Sequence, residues 1–281
     1  METDYSVLMS VYQKEEPSFF HDAIQSILRQ TIRPKQIVLV CDGPLTDGLE
    51  QELEALQENQ RDILRLVRLP ACGGLGSALQ KGLQSCSCEL VARMDTDDLA
   101  VPNRMELQLA ELDRDPSLSV LGGQITEFWI SPDRISGSRR VPCDNEAIRT
   151  FAASRNPMNH MTVMFRKNAV LAAGSYRSFD RFEDYDLWSR MLAGGARFRN
   201  LDQVLVYARV APDSYRRRGG MDYFRQSVRM QKQLRACGLL GPAAYCRNLA
   251  VRFAGTVLLP NRLRGLVYQK HLHKKLPSEE S

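Results

Sequence analysis

Leu90-Val91-Ala92-Arg93-Met94-Asp95-Thr96-Asp97-Asp98 runs from a compact apolar segment straight into three carboxylates. An apolar run this short, bounded by a polar turn, reads as a buried strand over Leu90–Met94. Acids crowded at its end repel one another unless a cation or hydrogen-bond donors compensate. The same pattern occurs upstream. Tyr5–Val11, Gln36–Val40 and Leu64–Leu69 are apolar runs of strand length, and the turn Cys41-Asp42-Gly43-Pro44 closes the second. Between them lie helical patterns. Ser18 is placed to cap a helix to Gln30 with Phe19, Ala23, Ile24, Ile27 and Leu28 on one face. Leu49–Gln57 is a second helix, and Gly73-Gly74-Leu75-Gly76-Ser77 opens a third that runs to Gln84. Strands alternating with helices predict the α/β class, with βαβ units and a Rossmann-like, mostly parallel central sheet. Ligands on such sheets bind at the carboxyl ends of the strands. Asp42, the Asp95–Asp98 group and the Val11-Tyr12 junction all fall at such ends.

Downstream, the spacing predicts a helix over Pro102–Asp113 and a strand over Ser119–Phe128, then a polar loop over 131–145. A helix near 145–153, a strand over Thr162–Phe165 and a short helix over Lys167–Ala173 follow. Phe182-Glu183-Asp184-Tyr185-Asp186-Leu187-Trp188 begins a helix to Ala193, and Val204–Val210 is a late strand. Past residue 213 the character changes. Arg216-Arg217-Arg218-Gly219-Gly220 is basic. Asp222–Ala236 is amphipathic around Tyr223, Phe224, Val228 and Leu234; residues 243–258 repeat this with Tyr245, Leu249, Phe253 and Val257. The expected organisation is a body over 1–212 and a basic amphipathic helical extension over 213–281.

The 281 residues are 43% hydrophobic and 25% charged, which fits a globular chain and excludes disorder or a fibrous repeat. No apolar window reaches the length of a membrane-spanning helix. The acidic start Met1-Glu2-Thr3-Asp4 lacks the basic region of a secretory signal, so a cytoplasmic location is expected. The seven cysteines show no CxxC pair and read as reduced thiols. Charge is split. Residues 1–196 carry 21 Lys+Arg against 28 Asp+Glu, and residues 197–281 carry 17 against 5. A basic end on an acidic body suggests an anionic partner such as phosphate groups or a membrane surface. No recognised nucleic-acid-binding motif or aromatic stacking platform appears, so nucleic acid is not expected as a partner.

Each chemical reading has a structural rival. Asp95, Asp97 and Asp98 offer hard oxygen ligands that suit Mg²⁺ or Mn²⁺ bridging to phosphates; alternatively they form a solvated helix-capping turn. Asp42 is a candidate for nucleotide recognition or an acid bonding its own turn. The Gly73–Gly76 run could cradle phosphate or allow close helix packing; it matches neither the dinucleotide fingerprint nor the P-loop. Glu183, Asp184 and Asp186 hold a candidate general base or simply complement a helix dipole. His160, alone before an apolar strand, reads as structural.

Taken together and in order, these segments resemble the family-two inverting glycosyltransferases of GT-A fold, over about residues 4–220. The resemblance rests on Ser6–Tyr12, Gln30-Thr31 with Pro34, Ile37–Pro44, Gly74–Leu79, Ala92–Asp98 and Phe182–Trp188. It is nearest to the bacterial enzymes of the amylovoran type that build O-antigen, capsule or exopolysaccharide. Cys72 and Met161 depart from the residues usual in relatives, Asn and Pro. The resemblance implies transfer of a hexose, with galactose favoured, from a UDP-sugar to a lipid-diphosphate-linked saccharide at the cytoplasmic face of a membrane. By position, Tyr12 and Asp42 would contact the base, with Glu15 nearby. Arg93 and Asp95 would line the nucleotide pocket. Asp97 and Asp98 would meet ribose and a Mn²⁺ or Mg²⁺ ion, with Asp98 the first choice as ligand. Asp184 would be the base, Glu183 would position it or the acceptor, and Arg217 and Arg218 would lie near the diphosphate. The basic extension would rest on anionic lipid headgroups. The alternatives are a nucleotidyltransferase, disfavoured because Tyr12-Gln13-Lys14-Glu15 lacks glycine, and a nucleotide-sugar-binding protein without transfer.

Overall fold

The computed structural model describes residues 4–210 and 219–258. Its centre is one sheet. Four parallel strands form its first half in the order β3-β2-β1-β4: β1 (Tyr5–Val11), β2 (Gln36–Cys41), β3 (Leu64–Arg68) and β4 (Leu90–Arg93). Beyond β4 the sheet turns mixed. β8 (Met164–Arg166) pairs antiparallel to β4 and to β6 (Leu118–Phe128), which runs parallel to β9 (Arg197–Arg209). A two-residue strand β5 (Leu99–Ala100) and the antiparallel β7 (Ile135–Arg139) complete it. β1, β2, β4, β6 and β9 therefore end at one edge. The chain leaves β1 on one side for β2 and β3 and returns on the other as β4. That reversal opens a crevice at the carboxyl ends of β1 and β4.

The core lies on both sheet faces. Helices α1 (Pro17–Leu28), α2 (Asp47–Asn59) and α4 (Arg104–Arg114) pack with Val7, Met9, Ile37 and Leu39 on one face. Helices α3 (Leu75–Ser85), α5 (Asn145–Ala152), α6 (Lys167–Ala172) and α7 (Glu183–Ala193) cover Leu8, Val38, Val40 and Val91 on the other. Alternation along β1 and β2 thus sends successive side chains to opposite cores, as a sheet covered on both sides requires.

Several expected boundaries shift. Glu16, not Ser18, caps α1, because Pro17 suits the first helical position, where no N–H is needed. That helix stops at Leu28, and the buried Gln30 amide instead bonds the Val101 carbonyl at 2.8 Å. The loop expected over 131–145 contains β7, whose polar Ile-Ser-Gly-Ser-Arg carries no apolar alternation to betray it. The expected late strand is the last half of β9, which starts at Arg197 in a charged stretch. Helices α8 (Gly220–Ala236) and α9 (Pro242–Phe253) form as expected, but α8 buries Ser227, Met230, Gln231 and Leu234 rather than the stripe through Tyr223, Phe224 and Val228. Met230 and Leu234 pack on Tyr185 of α7, which joins the basic helices to the helix bearing the second acidic cluster.

Candidate active site

The acidic loop begins where β4 ends. The Arg93 guanidinium is buried and ion-pairs with Asp95, while its Nε and Nη1 have no hydrogen-bond partner among the described residues. The Thr96 hydroxyl lies 3.1 Å from the Ser10 carbonyl and 3.0 Å from Glu15 Oε2, tying the loop to the chain after β1. The nearby Tyr12 is 38% exposed at the same edge. Carboxylate oxygens of Asp95, Asp97 and Asp98 lie within 4.8 Å of one another. Burial, then the charges of Asp95 and Glu15, push the Asp97 carboxyl up to about 7. Burial and its two acidic neighbours raise Asp98 well above the usual carboxylate range. Burial also raises Glu15.

Asp98 Oδ1 accepts the Arg209 backbone N–H at 2.8 Å, and Oδ2 is buried with no partner among the described residues. An orphaned buried oxygen beside two further acids is short of positive charge. A divalent cation would supply that charge, and the donor set of Asp95, Asp97 and Asp98 fits Mn²⁺ or Mg²⁺.

Arg209 escaped the reading of the sequence. Its Nε donates to the Asp97 carbonyl at 3.1 Å, and its guanidinium carbon lies 3.8 Å from the Phe19 ring centroid and 4.7 Å from that of Phe128. Two rings and two hydrogen bonds hold this cation against the acidic loop. The available signal was a lone charge at the carboxyl end of an apolar strand.

Asp42 lies at the end of β2, but its oxygens turn to the neighbouring loop. Oδ1 accepts the Gly73 N–H at 2.7 Å; Oδ2 accepts the Gly74 N–H at 3.0 Å and the Cys72 thiol at 3.3 Å. The glycine N–H groups that could have held phosphate are thus engaged by Asp42. Gly43 has φ +86°, and a Cβ there would lie 2.7 Å from the Cys72 nitrogen, so only glycine fits the turn. Gly76 serves close packing too: a Cβ would lie 2.3 Å from the Arg177 carbonyl oxygen and 3.0 Å from Glu183 Cβ. This contact brings the starts of α3 and α7 together.

At the start of α7 the three acids have different surroundings. Glu183 lines a cleft of about 430 Å³ with Gly73, Gly74, Gly76, Phe179 and Arg181, and burial plus the Asp184 charge push its carboxyl up to about 7. Asp184 Oδ2 accepts from Asn156 Nδ2 at 2.5 Å and Oδ1 from the Tyr185 N–H at 2.7 Å; burial raises its pKa, against these bonds. Asn156 was not singled out in the sequence, where a lone Asn before Pro157 reads as turn chemistry. Asp186 is committed elsewhere: buried, it accepts from Arg190 Nε at 3.0 Å and Nη2 at 2.8 Å. Asp186→Ala leaves the Arg190 cation buried and unpaired, and is expected to lower unfolding free energy by about 3–5 kcal/mol in denaturant melts.

Arg93 joins the clusters. Its charge acts on Asp97 and Asp98 in the first and on Glu183 and Asp184 in the second. His160 sits behind it, with Nε2 2.9 Å from the Tyr176 hydroxyl and its ring edge-on to Trp188. Burial and the Arg93 charge hold His160 well below its usual pKa, so it is neutral. Arg217 and Arg218 lie outside the described residues.

The Glycosyl transferase family 2 model matches residues 6–179, a stretch that holds the β1/β4 switch point and the acidic loop. The chain belongs to glycosyl transferase family 2. It is 36% identical over 272 residues to the amylovoran biosynthesis glycosyltransferase AmsE of Erwinia amylovora, covering 95% of this chain and 98% of that protein. It is 31% identical over 274 residues to the Escherichia coli UDP-Gal:alpha-D-GlcNAc-diphosphoundecaprenol beta-1,3-galactosyltransferase, covering 97% and 98%. Its fold matches the mannosyltransferase PcManGT of Pyrobaculum calidifontis, solved with GDP-Man and Mn²⁺, at a TM-score of 0.62 and 17% identity over 97% of this chain and 76% of that one. The family-two enzyme thus has the expected GT-A fold.

Proposed function

We propose that this glycosyltransferase moves a hexose, with galactose favoured, from a UDP-sugar to a lipid-diphosphate-linked saccharide, with inversion, during assembly of a surface polysaccharide. The observation that carries this reading is the acidic loop Asp95–Asp97–Asp98, whose carboxylate oxygens converge at the carboxyl end of β4, at the switch point of the sheet. The names of the two relatives support the polysaccharide setting, the donor and the acceptor class. In this reading Tyr12 and Glu15 lie on the uridine side and Arg93, Asp95 and Asp97 on the ribose and diphosphate side, while Asp42, whose oxygens are taken by Gly73, Gly74 and Cys72, shapes the loop beside the base rather than contacting it. Arg217 and Arg218 are assigned to the diphosphate from sequence alone.

In the transfer, an acceptor hydroxyl oxygen forms its bond to the anomeric carbon on the side opposite the diphosphate. The bond from that carbon to the UDP oxygen breaks with its electron pair, and the hydroxyl proton passes to Asp184. The Asn156 bond leaves Asp184 Oδ2 a lone pair for this proton. Glu183 positions acceptor or base from the cleft wall. Asp97 and Asp98 would hold a divalent ion, which when bound would supply charge neutralisation for the leaving diphosphate. Arg93, buried and with two unpaired nitrogens, adds fixed positive charge beside it. No helix among the described residues is long and apolar enough to cross a membrane. The proposed contact with the cytoplasmic face is peripheral, through the basic extension.

The test is a UDP-release screen of the full chain with each common UDP-sugar, with and without Mn²⁺ or Mg²⁺, and with a lipid-diphosphate GlcNAc or GalNAc acceptor. Release with one donor that requires both metal and acceptor is expected. Binding of UDP and metal in calorimetry with no release on any acceptor favours the binding-protein alternative. No binding overturns the nucleotide-sugar reading.

A further inference from the structure

The hairpin of β6 and β7 ends in an apolar tip at the edge of the sheet that carries the active site. Trp129 is 55% exposed, Ile130 66% and Ile135 53%, three of the largest apolar exposures among the described residues. Their place follows from the strand directions. β6 runs parallel to β4 through the antiparallel β8, so its last residue, Phe128, lies at the carboxyl edge. The Phe128 ring contacts Arg209, and Arg209 bonds Asp97, so the tip begins one residue beyond a chain of contacts to the acidic loop.

The tip is a built turn. The Arg134 N–H donates to the Ser131 carbonyl at 2.9 Å, and the Asp133 N–H to the Ser131 hydroxyl at 3.4 Å. Phe128 pairs with Ile135 across the hairpin, and the Phe128 carbonyl accepts the Val210 N–H at 2.8 Å. Trp129, Ile130 and Ile135 therefore stand outward on a braced hairpin. Arg134 is exposed at the turn itself, next to Asp133; Arg139 and Arg140 lie at the far end of β7, engaged by the Asn156 carbonyl and by Asp202. A tryptophan and two isoleucines beside an exposed arginine match a bilayer interface, where an indole sits at headgroup depth and a guanidinium group meets anionic lipid.

The geometry points to this hairpin tip as a membrane-docking element that inserts Trp129, Ile130 and Ile135 into the interface of an anionic bilayer. The inference rests on the proposed lipid-diphosphate acceptor. It says how the crevice meets that acceptor: the tip at the crevice edge brings the acidic loop down to the plane where a lipid-borne diphosphate lies. It also separates docking by the hairpin tip from attraction by the basic extension.

The chain has two tryptophans, and Trp188 is fully buried, so a contact quencher reports on Trp129. Full-length protein is mixed with phosphatidylglycerol–phosphatidylcholine vesicles whose acyl chains carry bromine, without donor or acceptor. Acrylamide quenches Trp129 in the free protein, and brominated vesicles quench it on binding; Trp129→Phe leaves emission from Trp188 that bromine does not touch. The triple variant Trp129→Ser, Ile130→Ser, Ile135→Ser weakens vesicle partition about tenfold or more. It keeps its melting temperature and its turnover of a short-chain water-soluble acceptor. Vesicle binding that leaves Trp129 unquenched overturns the inference, since another segment then docks. So does Trp129 emission insensitive to acrylamide in the free protein, because the chain itself then covers the tip. A dimer in sedimentation that the triple variant disperses also overturns it in favour of a second copy. Quenching without UDP release on lipid acceptors sinks the acceptor reading and leaves the docking element standing.

Discussion

Asp98→Asn is expected to cut transfer about a thousandfold, roughly 4 kcal/mol of transition-state stabilisation. It is also expected to make the metal-free protein more stable. The amide keeps an oxygen for the Arg209 N–H, so the 2.8 Å bond at Oδ1 survives. What disappears is a negative charge buried among Asp95 and Asp97 with one oxygen unpartnered. The sign follows from the raised carboxyls. A carboxyl whose folded pKa lies above its unfolded one contributes stability below the unfolded value and loses it as pH rises through the folded value. With Asp97 at about 7, the wild-type metal-free protein loses stability from about pH 4 up to pH 7. The variant carries one fewer of these charges, and at pH 7.5 should melt a few degrees higher, about 1 kcal/mol or more. UDP release and calorimetry with UDP and Mn²⁺ check the first half, and a thermal melt without metal checks the second. Retained metal binding, or a lower melting temperature without metal, would remove Asp98 from its assigned place.

Asp184→Asn is expected to lower kcat by about 10² to 10⁴ with little change in the KM for the donor. The carboxylate lies behind Glu183 rather than in the acidic loop, so its loss should leave UDP and metal affinity intact. The amide can still meet the Tyr185 N–H at the Oδ1 position, but its NH2 then faces the Asn156 NH2, so a thermal melt is run beside the kinetics to show that the fold is kept. The pH profile separates it from its neighbour. Activity needs an ionised base and rises with pH through a limb that belongs to the Glu183–Asp184 pair, whose carboxyls burial and mutual repulsion raise. Glu183→Gln removes the like charge, so the acidic limb moves to lower pH while kcat at its plateau survives. A limb that stays in place in Glu183→Gln, or a plateau as low as that of Asp184→Asn, would exchange the two roles.

The part of the sheet that builds the crevice was legible because β1, β2 and β4 are buried on both faces. Continuous runs such as Gln36–Cys41 have no polar alternation, and each ends at a turn with its own chemistry. β7 and the first half of β9 were illegible for the opposite reason: Ser136, Gly137, Ser138, Arg197 and Arg199 take their strand pairing from β6 rather than from any periodicity of their own. Both acid clusters showed in the sequence because each packs several carboxylates into one turn. Their meeting did not, since Arg93 reaches Glu183 and Asp184 only through the fold. Nor did the separate fate of Asp186, which depends on where Arg190 lies along the same helix. Asn156 and Arg209 act as single side chains brought from far away, a kind of contribution that spacing does not record.

Arg209 also sets an order in time. It lies 111 residues after Asp98, yet its backbone N–H and guanidinium together hold the acidic loop. A chain emerging from the ribosome can close the four parallel strands long before β9 exists. Until β9 pairs with β6, the loop lacks its clasp, and the crowded carboxylates have only Arg93 to offset them. The proposed competence to bind a cation therefore arrives late in synthesis, after the sheet is complete. A fragment cut at residue 179, where the family match ends, would carry every acid of the DxDD loop and its Thr96 and Arg93 ties, but not the Arg209 clasp.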